Sequence, residues 1–414
     1  MKPLLLLILI GYLVVKCIEN AVALVNLRHI SQYGDRVPSG FEGFVDQKTL
    51  AQMRDYSVDN SRFGFLSSGV DVLITLIFLF GGLLDSYNTW LVGREWSFMA
   101  TGIAFFLLLT YAQFFIHIPF DLYSTFHIEN KYGFNKQTYG LWCLDTVKGL
   151  VLTTVLSVIV LGVVFWLIKV APGYWWLVVW LFLLFFKIFM LYISPYVIEP
   201  LFNTFTPIAN KGLEEKIKKM FSRAGLSISK VFTMDASRRS GHGNAYFSGI
   251  GHVKRIVLFD TLLEKNSDDE ILAILAHEAG HWKKKHILKR LVMMECFSFV
   301  GIYLAWTLVQ KDWLVEIFGV AEPTLYVKLL LVGFCSMLVL FPLKPLMTWL
   351  SRKDEWEADQ YAVDMTGTPH ALARALIKMG RDNLANLHPH PWYIAFHYSH
   401  PPLSQRVKRL LRKP

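Results

Sequence analysis

The chain has 414 residues, 54% of them hydrophobic and only 18% charged, with a mean hydropathy of +0.38. That composition excludes a soluble globular protein and a disordered one, and points to a multi-pass membrane protein. The net charge of +10 is explained by positive loops beside anionic lipid, and no nucleic-acid motif accompanies it, so the expected partner is the bilayer and not nucleic acid.

In chain order, seven apolar stretches are long enough, or nearly so, to cross a bilayer core of about 30 Å at about 1.5 Å per helical residue. They fall at 3–25, 66–84, 97–117, 149–168, 175–193, 291–309 and 325–342. The first is expected to be a retained span and not a signal peptide, because its apolar run is long and no small-residue cleavage site follows before Lys16 and Glu19. Arg28, Arg36, Lys48, Arg54 and Arg62 follow the first span, and Lys131 and Lys136 the third. The alternate loops carry only Arg94, Lys311 or, at Pro172-Gly173, no cation. The positive-inside rule therefore places the segment 196–290 and the basic tail in the cytosol, with the N-terminus on the far side. Lys16, Glu19, Asp71, His117, Lys187 and Glu295 lie within the spans, where each is costly unless it meets water or a partner. Together they predict a bundle enclosing a polar, hydrated interior.

Four units are expected. Residues 1–195 hold five spans, 196–290 a small α+β segment, 291–350 spans six and seven, and 351–414 a polar helix and tail. Within 196–290 the pattern predicts a helix over 213–224, strands over 231–234, 245–247 and 255–259, and then a long helix. Cys17, Cys143, Cys296 and Cys335 show no CxxC spacing, so a thiolate metal site is not expected.

That long helix opens on Ser267-Asp268-Asp269-Glu270, a capping box, and runs into His277-Glu278-Ala279-Gly280-His281, an HExxH motif. Two histidines four apart share one helix face and can grip one metal ion, while Glu278, one step round, is placed to deprotonate a water. Zinc fits two imidazoles plus one carboxylate with a position left open. His286 falls on the far side if the helix continues, and Ile287 stands where a metzincin would place its third histidine. A third ligand is available in Ser351-Arg352-Lys353-Asp354-Glu355-Trp356-Glu357-Ala358-Asp359, where Glu355 and Asp359 are four apart. One carboxylate can bind the metal while the other accepts the N–H of a ligating imidazole.

HEAGH and SRKDEWEAD, with NAYFSG, RIVLFDTLL, IENKYGFNKQT, SPYVIEPLFNTFTPI and SHPPLSQR, resemble the type I CAAX prenyl protease family of integral-membrane, gluzincin-like zinc endopeptidases. The resemblance implies seven transmembrane helices around a water-filled chamber, one zinc ion facing it, and Glu355 rather than Glu357 as third ligand, leaving Asp359 behind a ligating histidine. It also implies a polypeptide substrate cut after a prenylated cysteine, in the endoplasmic reticulum membrane if the source is eukaryotic. A bacterial member would sit in the inner membrane. Asn244, Ala245, Tyr246 and Phe247 read as a strand edge able to pair with extended substrate, and Asn244 as a group able to hold a substrate carbonyl. His400 and Arg406 are candidates to stabilise the tetrahedral oxyanion. His242, His252, His388, His390 and His397 fit no ligand spacing and are expected to be structural or surface groups. The competing reading is a transporter or receptor with a structural zinc site, which the absence of nearby cysteine weighs against.

Overall fold

The computed structural model describes residues 2–225, 228, 230–248 and 255–412; His252 lies outside the described residues. The chain opens with Pro3–Tyr33 (α1), Gln47–Thr75 (α2), Leu83–Val92 (α3), Phe98–Tyr123 (α4), Tyr139–Val170 (α5) and Trp175–Val197 (α6). Glu199–Phe202 (α7), Phe205–Pro207 (β1), Lys211–Arg223 (α8), Lys230–Met234 (β2), Ala245–Ser248 (β3) and Arg255–Phe259 (β4) follow. Next come Asp260–Lys265 (α9), Asp268–Lys283 (α10), His286–Val309 (α11), Trp313–Phe318 (α12) and Leu325–Leu340 (α13). The chain closes with Lys344–Thr366 (α14), Pro369–Asp382 (α15), Pro391–His397 (α16) and Leu403–Leu411 (α17).

Among the described residues seven helices are long and apolar enough to cross a membrane, and each overlaps one of the seven predicted runs, of which the second, 66–84, continues four residues beyond its helix at Phe80. Several outlast their apolar part. α2 starts at Gln47, where the Asp46 side chain accepts a hydrogen bond from Thr49 N, well before the apolar run begins. A helix satisfies its own backbone whether lipid or water surrounds it, so hydropathy marks the bilayer crossing and capping marks the helix end. The polar extension of α2 and the loop before it have a use: Phe41, Leu50 and Met53 join Leu372, Leu376 and Val407 in one core and fasten the bundle to the C-terminal helices.

The spans themselves are thinly packed, with only 6% to 22% of each apolar window buried. Charged groups within them meet partners: His117 Nε2 lies 3.0 Å from Asp71, Lys187 2.7 Å from Glu295, and Lys16 3.0 Å from Glu19. A polar cleft of about 510 Å³ between α1, α2 and the segment after α15 is lined by Glu19, Asn20, Asn26, Asn60, Ser61 and Ser68. This is a seven-helix bundle around a polar chamber. Its far end is closed by a dense apolar core that includes Leu91, Phe105, Phe165, Val179 and Tyr326.

At the other end sits the α+β segment. Its four strands run in the order β1-β2-β4-β3, with β2 and β4 parallel and both outer pairs antiparallel. The sequence pattern predicts three of these strands. It misses β1, whose three residues ending in Pro207 are too few to show an alternating pattern. β3, which carries Ala245, Tyr246 and Phe247, is an edge strand.

Candidate active site

α10 begins where the sequence predicts. Glu270 N donates to Ser267 Oγ while Ser267 N donates to Glu270 Oε2, closing the capping box. One face of the helix buries Ile271, Ile274 and Leu275 against Ile256 and Leu258 of β4 and Ile217 of α8. The opposite face presents His277 and His281 to α14. The approach of those two helices is unusually close: a Cβ added at Gly280 would lie 2.9 Å from Ala358 Cα. Glycine within HEAGH facing alanine within EAD thus lets two backbones meet, and that contact carries Glu355 across to the histidines.

The ligand atoms converge as a result. His277 Nε2 and His281 Nε2 are 3.3 Å apart, and the Glu355 carboxylate oxygens lie 3.3 Å and 3.2 Å from them. One atom from each of His277, His281 and Glu355 falls within 4.8 Å of the others, a compact N,N,O set. Glu355 is 3% exposed, yet its Oε2 has no hydrogen-bond partner. An unpartnered buried carboxylate oxygen facing two imidazole nitrogens is what a divalent cation would satisfy, so the residues present fit zinc.

Behind the ligands lies a second layer of charge. His277 Nδ1 is 2.9 Å from Asp359 Oδ1, which fixes the ring so that Nε2 faces inward. Arg406 grips Asp359 with two bonds, Nε at 2.8 Å and Nη2 at 2.6 Å, and is itself buried. His281 Nδ1 lies 3.1 Å from His286 Nδ1, and His286 Nε2 lies 3.4 Å from Glu357. This corrects the expectation for His286. The helix does not continue through 285, because Lys285 takes a left-handed conformation with φ of 58° and the chain restarts as α11. Counting 100° per residue across that break puts His286 on the wrong side. The Lys-Lys-Lys run before it offers no glycine or proline to mark the break.

Glu278 is half-buried, and burial pushes its carboxyl above the usual carboxylate range despite the opposing pull of His277 and His281. His400 is exposed on a cleft of about 350 Å³ that Arg406 also lines, with Nε2 3.3 Å from Glu355 Oε1. That cleft shares Asn383, Asn386, His397 and Tyr398 with the polar chamber, so the two spaces adjoin. β3 packs against α10 with Ala245 buried; Tyr246 Oη donates to Glu199, and the exposed Asn244 accepts a hydrogen bond from Ala245 N. Of the histidines set aside, His242 bonds Asn383 and stacks on Phe134. His388 bonds the Arg36 carbonyl, and His390 caps α16.

Known proteins match along the whole length. The family model described as the CAAX prenyl protease N-terminal, five membrane helices, matches residues 26–204, and that of peptidase family M48 matches 207–413. The chain is 34% identical over 389 residues to a rice CAAX prenyl protease 1 homolog, covering 90% of each chain. It is 33% identical over 431 residues to the human homolog, covering 92% of this chain and 90% of that one. The crystal structure of S. mikatae Ste24p superposes with a TM-score of 0.92 at 29% identity, covering 99% of both chains. These matches favour catalysis over a transporter or receptor with a structural zinc. Because they run through the bundle and the α+β segment alike, the chain belongs to peptidase family M48 and is a membrane-integrated zinc metalloprotease.

Proposed function

We propose that this protease hydrolyses peptide bonds in prenylated CAAX-type or other membrane-associated polypeptides, at one zinc ion held by His277, His281 and Glu355. The observation that carries the reading is the convergence of those three ligand atoms within 4.8 Å beside a cleft that adjoins the intramembrane chamber. When bound, zinc supplies a Lewis acid that acidifies a water and polarises the scissile carbonyl. Glu278 takes the proton of that water and passes it to the leaving nitrogen, a task suited to a carboxyl that burial has made more basic. Asp359 holds the His277 ring, and Arg406, which gives Nε and Nη2 to Asp359 and sets Nη1 3.8 Å from Glu355 Oε2, holds these two carboxylates in turn and acts on the chemistry by positioning them. His400, exposed on the cleft, donates to the developing oxyanion directly. The free edge of β3, residues 245–247 with Asn244 at its start, pairs with extended substrate. A main-chain grip of that kind makes small sequence demands, so a prenyl group held in lipid or in the chamber is the natural source of selectivity.

The four units 1–195, 196–290, 291–350 and 351–414 divide the labour between chamber and chemistry. The catalytic end and the tail face the cytosol, from the endoplasmic reticulum membrane in a eukaryote or the inner membrane in a bacterium, and nucleic acid has no part in the function. The test uses the full chain in detergent micelles, with metal analysis and cleavage of a prenylated CAAX peptide beside its unprenylated twin. One zinc per chain and faster cleavage of the prenylated peptide are expected. Equal cleavage of both would remove the prenyl requirement, and zinc-loaded protein that cuts neither would remove the CAAX reading. Cysteine labelling from the cytosolic side should reach positions 48, 131 and 265 but not 88 or 312; labelling at 312 would mean a miscounted helix.

A further inference from the structure

The polar chamber occupies one face of α2, and a separate groove of about 590 Å³ opens on the other, between α2 and α4. Asn60, Ser61, Gly64 and Ser68 line the chamber cleft, whereas Asp59, Arg62, Phe63 and Leu66 line the groove. At about 100° per residue these are opposite sides of the helix. The groove therefore faces away from the chamber cleft, and Leu66 at 62% exposure and Tyr123 at 48% line it.

Its two walls carry the same gradient. On α2, Arg62 stands one helical turn, about 6 Å, beyond Leu66, where the apolar run begins. On the facing wall Lys131 and His127 stand beyond Tyr123 and Phe120 in the same sense. Cations thus sit at the phosphate level of a leaflet and aromatic and aliphatic groups below it. The rings form a continuous flank, with Phe63 5.2 Å from Tyr123 and Tyr123 4.6 Å from His127. A π-helical turn over Ser124–Glu129 widens the facing helix at this level, a local distortion often found at binding sites. Charge is left over as well. Asp59 is already occupied by Lys131 Nζ at 2.6 Å and Tyr132 Oη at 2.7 Å, whereas Arg62 has no ion-pair partner among the described residues.

From this geometry we infer that the α2–α4 groove is a binding site for one anionic phospholipid of the bilayer, its headgroup against Arg62, with Lys131 beside it neutralising Asp59, and an acyl chain along Phe63, Leu66 and Phe120. The site is distinct from the protease centre and independent of which peptide that centre cuts.

The experiment is native mass spectrometry of the full zinc-loaded chain released from nanodiscs of equal phosphatidylcholine and phosphatidylserine. One retained phospholipid is expected, enriched in phosphatidylserine by roughly fivefold for the one unpaired cation, Arg62. Arg62→Glu should return the retained lipid to the bulk ratio, and Arg62→Lys should keep most of the enrichment. Leu66→Trp, which fills the lower groove without touching charge, should reduce how much lipid is retained at unchanged melting temperature. The proposal is overturned if the wild type shows no enrichment, if Arg62→Glu or Leu66→Trp retains lipid as the wild type does, or if a neutral N-acetyl-S-prenylcysteine methyl ester displaces the phospholipid, which would make the groove a substrate path.

Discussion

The two ends of the bundle are buried by opposite means. At the closed end Leu91, Phe105, Phe165 and Tyr326 pack ring on ring, and the few polar groups are quenched locally: Asn88 bonds the Glu322 carbonyl and Thr324, and Tyr326 Oη donates to the Phe98 carbonyl. At the catalytic end the buried set includes His277, His286, Glu355, Asp359 and Arg406, held by ion pairs around the candidate metal site. Each end is also tightened at a glycine. Gly102 lets Phe165 and Tyr326 close to 2.6 Å from where its Cβ would be, and Gly280 lets Ala358 close to 2.9 Å. The lesson is that volume complementarity shuts one end while charge complementarity shapes the other. Mutations at the two should therefore fail differently, one in stability with rate and metal intact, the other in rate or metal, with stability lost as well only where a buried charge is left unpaired.

The largest expected effect tests the catalytic end alone. Glu278→Gln should lower turnover by roughly 10²- to 10⁴-fold or more while metal analysis still finds zinc, because the amide cannot accept the proton and Glu278 does not ligate. Near-normal turnover would detach the base from this residue. Next, His400→Ala should lower single-turnover rates by about 10²- to 10³-fold with zinc content and melting temperature preserved. Arg406→Ala should behave otherwise. It leaves Asp359 buried without its cation, so destabilisation of about 3–5 kcal/mol is expected, with weaker zinc binding and loss of rate only in proportion to lost metal. Should the two variants share one phenotype, the separation of their roles fails.

Smaller effects sharpen the contrast. Asp359→Ala should weaken zinc affinity by about 10- to 100-fold, read by competition with a chelator, whereas Glu355→Ala should lose the ion. Full zinc in Glu355→Ala with loss in Glu357→Ala would shift the ligand register by two residues. Gly102→Ala is the counterpart at the closed end. It forces a methyl between two rings, so destabilisation of about 1–3 kcal/mol in a thermal melt is expected with kcat and zinc content unchanged. A rate change there would show that the closed end couples to the chemistry after all.

The sequence by itself determined the number of spans, the capped start of α10 and the pairing of His277 with His281. All three are local: hydropathy over one helix length, a side chain bonding a backbone three residues away, and two side chains a helical turn apart. It narrowed the third ligand to Glu355 or Asp359 by spacing and to Glu355 by resemblance. Only the tertiary structure decided how those parts meet. That Gly280 admits Ala358, that Arg406 from the last helix closes on Asp359, and that β1 completes the sheet are contacts between distant residues, invisible to any periodicity. His286 belongs to that class as well. One left-handed residue at Lys285 redirects the chain, and a lysine run carries no steric signature of the turn, so the ring that backs His281 became legible only when α10 and α11 were seen to part.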